Sequence, residues 1–172
     1  MQMTHLFPII TEIADCNHHG HYFPALMSTL SLPDICAALN AEDGQTSRAR
    51  YIAWMNQWTT WHETYVDLIY GFRCSMLHQG SGHAHRSGGT RVAFVHPAEP
   101  GGLHGIIRQV DDDDPGVLVF KLDRFIEQML MHVQGWWHHN HEDEIVHRNL
   151  EKFILVRDGL MPWLPPGWAV IG

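Results

Sequence analysis

A glycine- and serine-rich segment, residues 79–89 (QGSGHAHRSGG), separates two stretches whose apolar residues recur with different periods, and this break limits the possible folds most. Before it the spacing is helical. Pro8 suits the first turn of a helix carrying Ile9, Ile10 and Ile13, and Pro24 the start of a second through Leu26 and Leu30. Ser31-Leu32-Pro33-Asp34 reads as a capping box that opens a third, through Ile35 and Leu39. Thr46 or Ser47 is placed to cap a helix striped by Tyr51, Met55 and Trp58, with Ile52 and Trp54 beside them. After Thr59 and Thr60 a long helix runs through Tyr65, Leu68, Ile69 and Phe72 and stops near Gly80.

Behind the break the pattern becomes that of strands. Residues 91–96, 105–110 and 116–121 are short and β-rich, and DDDDPG at 111–116 suits a hairpin turn, which predicts two or three antiparallel strands. Helical spacing returns from about Asp123, with Ile126, Met129, Leu130, Val133 and Trp137 on one side. A last helix is expected after Asn140, with Glu142, Asp143 and Glu144 early, Val146, Leu150 and Phe153 in its body, Lys152 and Arg157 late, and Gly159 at its end. The tail MPWLPPGWAVIG cannot form a regular helix; it is expected to pack on the body or on a second subunit. The expectation is one domain over 1–172, mainly α with a small antiparallel β insertion: helical over 4–79, a loop at 80–89, strands within 90–121, helices within 123–157, and a tail at 160–172.

With 45% hydrophobic and 17% charged residues in 172, the chain can fill a core without disulfide or metal staples. Cys16, Cys36 and Cys74 are odd in number and lack CxxC spacing, which suits reduced thiols. No basic leader precedes an apolar run, and no stretch approaches the ~20 apolar residues of a membrane span. Together these predict a cytoplasmic protein with no membrane contact. The net charge of −8 excludes wrapping nucleic acid over a broad surface, because that depends on dense Lys and Arg; any RNA contact must be focal.

One motif carries chemistry. Arg73 and His78 stand five apart at the end of the long helix, in RCSMLH. A histidine titrates near neutrality and can take a proton from a 2′-hydroxyl or give one to a leaving oxygen. An arginine offers a fixed fork of donors to phosphoryl oxygens as charge builds. Five helical residues turn roughly 500°, leaving the two side chains about 140° apart. Either the helix ends and re-aims His78, or a second copy supplies partners across a two-fold axis, which predicts a homodimer. An Arg and a His five apart also occur often by chance, and in that reading Arg73 simply pairs with an acid.

Residues 70–80, YGFRCSMLHQG, resemble the signature of the HEPN family of RNA-cleaving and RNA-binding helical domains, an R-x4–6-H pattern at a helix end with Gly close behind. The order of parts is similar to small bacterial and plasmid members with an RCxLLHQG-type motif. Gln79-Gly80, the strands at 92–95 and 117–120 and Trp136-Trp137 match over roughly residues 20 to 140. The resemblance implies a helical bundle, frequent homodimers and, in active members, metal-independent endoribonuclease activity of toxin or defence type, with a cognate antitoxin or other protein partner. It would make Arg73 the phosphate contact and His78 the acid/base. One departure is Cys74, where active members often carry Asn, Asp or His directly after the arginine. Members that have lost catalysis bind RNA, nucleotide or a partner, so a non-catalytic regulatory module is the alternative. His83, His85, Arg86 and Arg91, close behind His78 in the chain, could form the focal RNA-binding patch.

The fifteen histidines include three His-x-His pairs, His19/His21, His83/His85 and His139/His141. With Glu142 or Asp143 they raise a third possibility, a His-ligated metal-dependent hydrolase. No HExxH supports it, and no metal or other cofactor is expected.

Overall fold

Helical spacing ahead of the glycine-rich break is realised as four helices, α1 (Phe7–His18), α2 (Tyr22–Leu39), α3 (Arg48–Trp58) and α4 (Glu63–Gln79). The computed structural model describes residues 7–81, 90–109, 111, 113–153, 156–158 and 169–171, with Phe7 and the last two segments as backbone only. Ser47 caps α3 by accepting the N–H of Arg50. His62 caps α4 by accepting the N–H of Thr64. α4 ends on Gly80 in the left-handed region at φ 62°, with its N–H returned to the carbonyls of Ser75 and Met76.

α2 corrects the sequence expectation. Pro24 lies in its first turn, but the capping box at Ser31 opens nothing; one helix runs through Pro33 to Leu39. The Ser31 hydroxyl donates back to the Met27 carbonyl instead. An internal proline costs about 3 kcal/mol. Burial of Leu30, Leu32, Pro33, Cys36 and Ala37 in the core outweighs that penalty. α2 is also the one described helix long and apolar enough to cross a membrane by length and composition, although half of it is buried in the fold. It lies against α1, α3, α4, α5 (Leu122–Asn140) and α6 (Glu144–Leu150), and so forms the axis of the helical body.

The strands β1 (Arg91–Val95), β2 (Ile106–Arg108) and β3 (Val117–Lys121) form a three-stranded sheet of order β1-β3-β2. β2 and β3 make the expected antiparallel hairpin, Ile107 opposite Leu118, but β1 pairs with β3 in parallel, Ala93 opposite Val119. The sheet is therefore mixed, not antiparallel. Burial sets the strand order: Leu118, Val119 and Phe120 are all buried, so β3 is central, and exposed β2 takes an edge. Gly116 closes the hairpin at φ 88°, where a Cβ would lie 2.8 Å from Ile107 Cγ2.

Aromatic rings join sheet to helices. Phe94 packs on Phe72 of α4 and Phe125 of α5, and Phe125 stacks on Trp61 at 5.1 Å and 4°. His132 meets Trp61 edge-on. Burial holds its imidazole below its ordinary value of 6.5. The unfolded chain therefore takes this proton more readily than the fold. Stability is complete above that ordinary value and falls as pH drops through and below it. Thermal melts from pH 7.5 to 5 should show this acid loss reduced in His132→Gln; equal loss in both proteins would place the acid-sensitive group elsewhere.

The C-terminal part departs again. Asp143 caps α6 through the N–H groups of Ile145 and Val146, as its acidic start predicts, but α6 ends at Leu150 rather than near Gly159. The chain instead forms β4 (Val156–Asp158), paired antiparallel with β5 (Ala169–Ile171) of the tail. The run FILV at 153–156 favours extended backbone by composition, and the tail supplies the strand partner for Val156–Asp158.

Candidate functional site on helix α4

α4 carries the motif, and its pitch sends the two key side chains different ways. Arg73 faces α2, where its guanidinium forms an ion pair with Asp34 at 2.6 Å. The two side chains are only 17% and 13% exposed. Arg73 also lies beside the Cys74 thiol, at 3.8 Å, and over the Tyr70 ring, 6.0 Å from its centroid. His78 lies in the last turn and lines an open cavity of about 1130 Å³. Cys74, Ser75, Tyr70 and Gly71 of α4 share that wall, with Arg48 and Asn56 of α3 and Ile107 of β2 opposite or beside them. Arg73 is not among the cavity-lining residues. The helix ends one residue beyond His78, so termination does not swing the histidine back onto the arginine.

Asp34 links them. Burial raises its carboxyl above the ordinary value of 3.8, against the pull of Arg73, the Thr46 hydroxyl and the charge on His78. The Thr46 hydroxyl donates to its second oxygen at 3.2 Å. On the arginine side burial lowers the affinity for the proton, but Asp34 and Cys74 more than offset it and hold the guanidinium charged. Burial is thus the largest influence on both groups; at the carboxylate it prevails, and at the arginine its neighbours together outweigh it. Tyr70 completes the cluster: burial first, then its hydrogen bond with Cys74, raises its phenol above the ordinary value. Arg48 covers the same ring at 5.7 Å and pairs with Asp67 at 2.8 Å on an exposed face.

Asp34, Arg48 and Tyr70 were not singled out from the sequence as site residues. Asp34 read as part of a helix start, and nothing local signals its pairing with an arginine two helices on. The i, i+3 spacing of Tyr70 and Arg73 is a sequence signal consistent with their contact on one face of α4.

Of the expected RNA-binding patch, His83, His85 and Arg86 lie outside the described residues. Arg91 is exposed at the start of β1. Trp136 and Trp137 are buried, and Trp136 donates its indole N–H to Asn40. The other His-x-His pairs serve locally: His19 bonds the Asp15 carbonyl, His139 packs on Trp58, and His141 stacks on His138. Among the described residues no group of three or more His, Cys, Asp or Glu side chains is placed to hold a metal ion.

The described fold is mainly helical with a small mixed sheet. No protein-family model, no curated protein and no solved structure matches this chain.

Proposed function

We propose that this chain is a HEPN-like domain that binds single-stranded RNA along α4 and cleaves it without a metal. The observation that supports the reading is exposed His78 on the wall of a cavity of about 1130 Å³, about one and a half helical turns beyond the Arg73–Asp34 ion pair on α4. In this reaction neutral His78 removes the proton of a 2′-hydroxyl, and the oxygen attacks the adjacent phosphorus. The P–O5′ bond breaks to leave a 2′,3′-cyclic phosphate, and the leaving 5′-oxygen takes a proton from water while protonated His78 returns its own to solvent. Arg73, held charged by Asp34, stabilises the phosphoryl oxygens as the phosphate displaces part of that ion pair. The divergence of Arg73 and His78 on one helix supports a homodimer in which a second copy completes the phosphate contacts. A toxin or defence role, with a cognate antitoxin, goes with this reading.

A second reading has its own support. The Arg73–Asp34 pair is mostly buried and outside the cavity lining, which suits an arginine that anchors α4 to α2 in a non-catalytic binding or regulatory module. Cleavage of labelled RNA by untagged protein in EDTA, with His78→Ala and Arg73→Ala alongside, decides between them. The ribonuclease reading expects wild-type cleavage and a loss of about 10²–10⁴-fold in His78→Ala. Folded wild-type protein that binds RNA and leaves it intact would establish the binding module.

A further inference from the structure

The cavity beside His78 does not end at the N-terminal half of α4. A second hollow of about 500 Å³ lies there, lined by Trp61, His62, Tyr65 and Gly105, and it shares Thr64 and Ile107 with the first. We infer that the two form one groove and that the far hollow is a subsite in which an unpaired RNA base stacks on aromatic rings; this rests on the RNA reading above.

Three observations carry it. First, the rings are held in place before any ligand arrives. Trp61 is stacked on Phe125 at 5.1 Å and 4°, and His62 is fixed by its capping bond to Thr64 and stands edge-on to Tyr65 at 6.3 Å. Second, the groove offers phosphates little. The chain has a net charge of −8, Arg48 is engaged by Asp67, and Glu63 lines the same wall. Affinity for RNA must therefore come mainly from base faces, which every base presents regardless of sequence. Third, the groove has the length of a polymer. Thr64 and His78 are separated by about 21 Å of helix at 1.5 Å per residue. That spans about six nucleotides of a stacked strand at 3.4 Å each. A single nucleotide at His78 would leave the aromatic hollow empty.

The test uses non-cleavable 2′-O-methyl oligoadenylates, a trimer and an octamer, with binding read by fluorescence anisotropy. The variant is His62→Asn with Tyr65→Leu, in which Asn keeps the helix cap while both rings are lost. Its fold is checked by circular dichroism and its melting temperature. Wild type is expected to bind the octamer at least tenfold more tightly than the trimer, and the double variant to lose about tenfold on the octamer. Octamer binding should also depend weakly on salt, with a slope corresponding to about one or two phosphates. Equal binding of the two lengths by wild type, or no effect of the folded double variant, overturns the subsite and leaves the RNA reading standing. Absence of binding to either oligomer overturns the RNA reading and the subsite with it. In that case, binding of a Lys- and Arg-rich peptide would assign the groove, through Glu63 and Asp67, to a protein partner.

Discussion

Asp34→Ala is expected to lower stability by about 3 kcal/mol, because it leaves the Arg73 guanidinium charged and largely buried without its partner. Residual exposure of the pair keeps the effect at the lower end for buried ion pairs. Arg73→Ala should cost a similar amount, since it leaves the Asp34 carboxylate behind with only the Thr46 hydroxyl. Combining Asp34→Leu with Arg73→Met should recover most of the loss, because two apolar groups of similar volume need no desolvated charge. Urea unfolding of the two alanine variants and of the Asp34→Leu, Arg73→Met protein checks this. A single-variant cost below about 1 kcal/mol would mean that solvent screens the pair and that it does not anchor α4 to α2. The same variants inform the chemistry. If the protein carrying both Asp34→Leu and Arg73→Met is stable yet inactive on RNA, the arginine acts on substrate as well as on α2.

The second large effect is expected at Asn149, far from the motif. Its amide Nδ2 donates to the carbonyls of Leu39 at 3.0 Å and Ala41 at 2.8 Å, and more weakly to Ala38 at 3.4 Å. These carbonyls lie at and just beyond the end of α2, where the regular helical ladder stops; turn N–H groups of Ala41 and Gly44 also reach those of Ala38 and Ala41. α6 thereby caps α2 from a distant part of the chain. Asn40 extends the tie, accepting from the Trp136 indole and donating to Asn140. Asn149→Leu keeps the bulk and removes the donor, so it should cost about 2–3 kcal/mol. For a chain of this size that is a fall of about 4–12 °C in melting temperature. Calorimetry checks it, and an unchanged melting temperature would show that water replaces the amide at these carbonyls.

The sequence by itself determined the elements whose cause is local. Ser47 starts a helix because its hydroxyl suits an N-terminal N–H, Gly80 stops one because it adopts positive φ without a Cβ, and the stripe from Ile126 to Trp137 becomes the buried face of α5. The β2–β3 hairpin was legible for the same reason, its turn chemistry lying within a few residues. What tertiary structure decided is non-local. Pro33 should have broken α2, but burial of its neighbours on both sides outweighs one lost backbone bond. β3 takes the centre of the sheet because Leu118, Val119 and Phe120 are buried, and β1 pairs with it in parallel, a direction that no local pattern in either strand encodes. The helix expected to reach Gly159 gave way to β4 because the tail offers a strand partner. The site divides in the same way. Arg73 and His78 stand out by residue type and spacing, whereas Asp34 acquires its role only when α2 packs on α4, a contact that no spacing within either helix encodes.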